Sequence, residues 1–209
     1  PSMVSATFDS RAQDLFVSFD FPTNQGGKLV NQRFDCSALF VGLGSLECLW
    51  VNSSTVVVKA RCSPNIVIGK PITLVDGVVQ IAGACPVTPT STGSIIVSIT
   101  NPQVSVEVGI SGPEMIGRCS ELLLDSSASR VAGTSCRRVY EWSFTSESPL
   151  EASKVQEVNA VLATSQDTVT LNDELPANNI YVFTLKLSTP FGLEGVGSFR
   201  VVKSSEALP

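Results

Sequence analysis

Apolar and polar residues alternate along this chain in short runs, each stopped by glycine, proline or asparagine. Leu15, Val17, Phe19 and Phe21 share one face of a period-two run, the mark of a half-buried strand. Pro22 and Asn24-Gln25-Gly26-Gly27 end it. The same reading predicts strands over 38–41, 46–51, 55–61, 72–75 and 78–81. Asp76-Gly77 joins the last two as a hairpin signal. A strand over 95–99 closes this series.

Thr100-Asn101-Pro102 then breaks the pattern, which places a domain boundary there and predicts domains 1–101 and 102–209. The linker is too short for the two to swing freely. Beyond it Val104, Val106 and Val108 alternate. Strands follow over 121–125 and 138–144, the second carrying Tyr140, Trp142 and Phe144 at every other position. Apolar residues at 155, 158, 161 and 162 have helical spacing, so 154–164 is predicted as a helix capped by Ser153. Strands over 168–171, 180–188 and 197–202 complete the chain, with Gly192 and Gly195 marking a hairpin.

About seven short strands per hundred residues, separated by turn signals, is the pattern of an Ig-like or fibronectin-III-like sandwich. The expected fold is therefore all-β: two tandem sandwiches, with a short helix in the second. Leu175 lies six residues before Tyr181, the spacing of a tyrosine corner, in which the ring packs inward and its hydroxyl bonds backbone upstream. Tyr140, Trp142, Phe144, Leu175, Tyr181 and Phe183 are assigned to the core of the second sandwich.

Composition narrows the function classes. Charged residues make up 16% of the chain, well below the usual quarter. The net charge of −5 sits entirely in residues 102–209, and neither half has the basic footprint that nucleic acid requires. Arg137-Arg138 is read as a strand entry or local ion-pair donor rather than a phosphate clamp. There is no histidine, which removes Ser-His-Asp and Cys-His constellations. No carboxylate pair or phosphate-binding loop stands out. The chain is expected not to be an enzyme and to need no cofactor. No apolar run approaches the roughly 20 residues of a membrane span, so no membrane insertion by this segment is expected.

Six cysteines stand at 36, 48, 62, 85, 119 and 136, none in a CxxC pair. An even count in a β-rich chain points to disulfides and an oxidising compartment. Cys119 and Cys136 are the only cysteines of the second domain and are expected to pair. The other four allow three connectivities. Neighbour pairing, Cys36–Cys48 with Cys62–Cys85, is expected, and links such as 36–62 or 48–85 stay open. The opening PSMVSATFDS has no signal-peptide character and no initiator Met, so an extracellular reading makes the chain a piece of something longer.

The runs GPEMIGRCSELLLDSSAS, CRRVYEWSF, LPANNIYVFTLKLSTPFG and FRVVK resemble the receptor-for-egg-jelly (REJ) module of sperm-receptor and polycystin-type ectodomains. The matching positions are Gly112, Pro113, Cys119, Leu122, Leu124, Asp125, Ser127, Ser129, Tyr140, Trp142, Leu175, Tyr181, Phe183, Phe191 and Gly192. The resemblance covers about residues 102–203. The first half is similar, more loosely, to Ig-like units of algal and protist surface proteins. The self-cleavage site and membrane spans that follow REJ regions in polycystin-type proteins are not in this sequence, so channel gating and autoproteolysis do not carry over. The resemblance implies a non-enzymatic structural or adhesion module at the cell surface, in a ciliary or flagellar setting among others, as part of a stalk or filament. Its partners would be other domains or copies of the same large surface protein. The alternative is a receptor fragment that binds a glycan or protein ligand.

Three sites remain. Asn52-Ser53-Ser54 is an N-glycosylation sequon between two strands. PVTPTSTGS, residues 86–94, has a composition compatible with O-glycosylation. Asp125 stands alone among serines and is read as a turn former rather than a calcium ligand, which would need six to eight oxygens. Trp50 is left as the one aromatic able to serve as an exposed stacking platform, although it too lies in a strand pattern.

Overall fold

The alternating run around Val17 becomes the middle of the first sheet because its even and odd positions face different surroundings. Leu15, Val17 and Phe19 are buried, while Phe16 on the opposite face is 39% exposed. The computed structural model of the chain describes residues 1–83, 92–99, 105–131, 136–172 and 174–207. The chain is all-β with one short helix, and it divides into two compact units. The first comprises Pro1–Val104 together with Gly133–Arg137 and Pro190–Gly192, and the second holds Ser105–Ala132, Arg138–Thr189 and Leu193–Pro209.

In the first unit β1 (Met3–Phe8), β2 (Asp14–Phe19), β3 (Arg33–Asp35), β4 (Glu47–Asn52), β5 (Thr55–Lys59), β6 (Pro71–Thr73) and β7 (Ser94–Ile99) form one seven-stranded sheet in the order β3-β4-β5-β2-β1-β7-β6. Neighbours pair antiparallel except β1 and β7, which are parallel. Phe8, Leu15, Val17, Cys48, Trp50, Val56 and Val58 line its buried side. Val57 points to the other side yet is only 3% exposed, and its register neighbours there are Leu49 and Phe16.

Here the structure departs from the periodicity in three places. The predicted strand 38–41 is not one. Asp35 accepts a hydrogen bond from the Ser37 N–H (2.8 Å) and starts a 3-10 turn over Cys36–Ala38, and both Leu39 and Phe40 are buried by it. The predicted hairpin at Asp76-Gly77 also fails to form. Gly77 turns the chain at φ 79°, but Ile81 bridges to Thr23 instead of returning along β6. Conversely, Met3–Phe8 is a strand that the opening residues conceal, because its alternation is carried by Ala6 and Phe8 alone.

The second unit is a sandwich. One sheet contains β9 (Met115–Ile116), β12 (Val139–Ser146), β14 (Asn179–Ser188) and β15 (Glu194–Lys203) in the order β12-β14-β15-β9. Facing it are two pairs: β10 (Leu122–Asp125) with β13 (Thr168–Leu171), and β8 (Val106–Glu107) with β11 (Arg130–Val131). Leu122, Leu124, Val169 and Leu171 from one side meet Trp142, Tyr181, Phe183, Leu185 and Val201 from the other. Helix α1 (Ala152–Thr164) adds Val158 and Leu162 to the same core. It begins two residues earlier than predicted. Glu151, without a side-chain cap bond, stands at its N-cap, and Ser153 is inside the helix.

Gly195 was expected to mark a hairpin. It lies within β15, whereas the turn is made at Gly192, with φ 90°. Gly195 and Gly197 are needed for another reason. A Cβ on Gly195 would stand 2.6 Å from the Val106 carbonyl oxygen, and one on Gly197 would stand 2.8 Å from Val108 Cγ1. The two glycines thus let the β8 segment lie directly on β15.

Candidate interaction surface

Tyr181 sits where the corner motif predicts. Its ring is fully buried, and its hydroxyl donates to the Pro176 carbonyl at 2.7 Å, with Leu175 buried beside it. Burial pushes the phenol pKa up. The neutral phenol is the form the fold holds, so this contribution is complete below the ordinary tyrosine pKa and is lost as pH rises through the raised value. Tyr181→Phe should lower stability by about 1 kcal/mol near neutral pH. It should also abolish the part of the alkaline destabilisation above roughly pH 10 that Tyr181 causes. Denaturant titrations of both proteins across the alkaline range test this, and parallel curves would refute it.

The aromatic stripe also faces inward. Trp142 is buried and donates from Nε1 to the Gln166 carbonyl at 2.7 Å, while Tyr140 and Phe144 are half-buried against the core. Phe144 stacks on Phe183 at 6.1 Å. Asp125 accepts from the Ser127 N–H at 2.7 Å, a turn of its own backbone. This bond holds its carboxyl below the usual carboxylate range. Arg138 donates to the Ser129 carbonyl.

The disulfides differ from the expectation in part. Cys36 pairs with Cys48, as expected. Cys62 pairs with Cys136, not with Cys85, and Cys119 is free and exposed. The reason is topological. The segment Gly133–Arg137 groups with the first unit rather than with the sandwich on either side of it in sequence. Cys136 therefore meets Cys62, which closes a turn just after β5 with φ 65°. Cys119 is left in the turn between β9 and β10, where Ser120 N–H bonds the Gly117 carbonyl. Cys85 and most of the 86–94 segment lie outside the described residues. Iodoacetamide applied to the native chain should label Cys119 and spare Cys36, Cys48, Cys62 and Cys136, which peptide mass mapping reads directly.

Trp50 is not a platform. It is fully buried on β4, against Phe19 at 5.6 Å. Asn52, by contrast, is exposed at the tip of the β4–β5 hairpin, where its Oδ1 accepts from the Ser54 N–H and hydroxyl.

What the second sandwich presents outward is a mixed sheet face. Lys186 lies between Glu194 (2.8 Å) and Glu141 (3.9 Å), and the Glu194 hydrogen bond raises its pKa. Val139 and Val196 stand exposed near these charges, and Met115 is exposed farther along the sheet, opposite Val202. Two shallow clefts, of about 350 and 410 Å³, adjoin the start of β14 and share Ser148, Asn178 and Asn179. Ser148 and Asn179 bond each other reciprocally. Lys203 is buried and donates to the Asn172 carbonyl. Its place at the end of an alternating strand gave no hint of that burial.

The sheet edge is shaped by Gly112-Pro113. Ser111 exchanges two 2.8 Å backbone bonds with Asp125 in one sheet. Three residues later Glu114 accepts from the Val202 N–H, and Met115 pairs with Val202 in the other. Gly112 makes this crossing possible, because a Cβ there would stand 2.8 Å from Leu124 and 2.9 Å from the Leu123 carbonyl. β9 consequently covers β15 only at Val202 and Lys203.

No protein-family model and no curated protein matches the chain. Among the described residues, no helix is long and apolar enough to cross a membrane.

Proposed function

We propose that this chain is a non-enzymatic structural or adhesion module of a larger extracellular or cell-surface protein, of the REJ type that its second half resembles. One observation carries the reading: the motif residues are spent on framework. Gly112-Pro113 makes the sheet crossing. Asp125 and Ser127 form a turn, and Ser129 ties its hydroxyl to Gly109. Trp142 holds Gln166, and Tyr181 holds Pro176. These side chains satisfy backbone groups of the framework. The two disulfides support an oxidising compartment, and the exposed Asn52 hairpin tip supports a glycoprotein. A ciliary or flagellar setting follows from the family resemblance alone.

In this reading the partners are neighbouring domains or copies of the same large protein, which bury the apolar residues left on the sheet. Electron microscopy of native material containing the chain tests it. Regular filaments or sheets with this unit as a repeat are the expected result. Dispersed particles that bind a glycan or protein ligand selectively would replace it with a receptor function. Intact mass of the native protein tests Asn52, and an unmodified mass removes the glycan.

A further inference from the structure

We propose that the bare edge of β15, residues 194–200, pairs with the same edge of a second copy about a two-fold axis at Gly197. This deepens the assembly reading and rests on it. The Val202 N–H points to β9, and strand backbone groups alternate sides. The N–H and C=O groups of Glu194, Val196, Ser198 and Arg200 therefore point the same way, away from β14. Among the described residues no strand pairs with that side of them, because the Gly112-Pro113 crossing has taken the chain to the other sheet. An unpaired strand edge of this length is a template for another strand.

The occupant is argued from charge and register. Antiparallel pairing requires residues whose backbone groups face each other to stand opposite. Centring the pair on Gly197 is the register that uses all four bare positions. It sets Val196 opposite Ser198 of the second copy, and Glu194 opposite its Arg200, twice. Glu194 is 52% and Arg200 59% exposed, and the cross-copy pairs would compete with the ion pairs each makes within the chain, to Lys186 at 2.8 Å and to Glu147 at 3.9 Å. Opposite charges across a strand pair stabilise, and like charges destabilise. A two-fold contact is self-complementary by construction.

The test is the mass of the full chain in solution by light scattering over a concentration series. Dimer is expected. Ser198→Pro should give monomer with an unchanged circular-dichroism melt, since the Ser198 N–H points away from β14 and no bond inside the sheet is lost. Arg200→Glu should weaken the dimer about tenfold or more by setting two like-charge pairs, and adding Glu194→Arg to it should restore the dimer. A wild-type chain that stays monomeric overturns the pairing, as does a dimer that neither Ser198→Pro nor Arg200→Glu weakens. If native filaments persist in that case, assembly stands and proceeds through another surface. If native material is dispersed as well, both readings fall.

Discussion

Removing the Cys62–Cys136 disulfide is expected to cost the chain about 4 kcal/mol of stability. The bond closes a sequence separation of 74 residues, and constraint of the unfolded chain grows with the logarithm of that length. The Cys36–Cys48 bond spans 12 residues and should contribute about 3 kcal/mol by the same reasoning. The double change Cys62→Ser and Cys136→Ser avoids leaving a thiol to mispair. Denaturant unfolding of the variant against the parent gives the energy, and non-reducing peptide mapping of the parent identifies the bond. A Cys62–Cys85 peptide, or a variant as stable as its parent, would refute the assignment.

Trp50→Ala is expected to destabilise by about 3–5 kcal/mol, the usual loss for a large aromatic removed from a core. Its ring is fully buried against Phe19, and its backbone lies between Val56 on β5 and the chain at Val30. Trp50→Phe should cost much less. It leaves a smaller void, and the indole N–H it deletes is buried without a hydrogen-bond partner, so no bond is lost. Thermal melts of both variants check the order. If Trp50→Ala melts with the parent while some ligand is lost, the residue is a binding platform after all and its buried placement is wrong.

Strand periodicity was the most legible part of the sequence. β5, β13, β14 and the aromatic stripe of β12 all lie within a residue or two of where alternation predicts. Alternation is enforced wherever one face of a strand is buried and the other is wet. The tyrosine corner was legible because a hydroxyl on a buried ring must find backbone within a fixed reach. The run 38–41 misled because Leu39 and Phe40 are both buried, which a 3-10 turn achieves and a half-buried strand does not. Met3–Phe8 was missed because a strand with few large residues carries little periodic signal.

What the sequence determined by itself is local and periodic: an all-β chain, the inward faces of its strands, one helix, and the corner at Tyr181. These follow from side-chain pattern and backbone geometry within a few residues. What only the tertiary structure decided is which distant segments meet. Cys136 belongs with Cys62 because of where a loop runs. Trp50 is core because Phe19 lies beside it. Gly195 and Gly197 are required because Val106 and Val108 lie on them, and among the described residues the outer edge of β15 is paired only at Val202 and Lys203, because the chain crosses to the other sheet at Gly112. Each of these is a contact between residues far apart in the chain, set by packing that no window of the sequence contains.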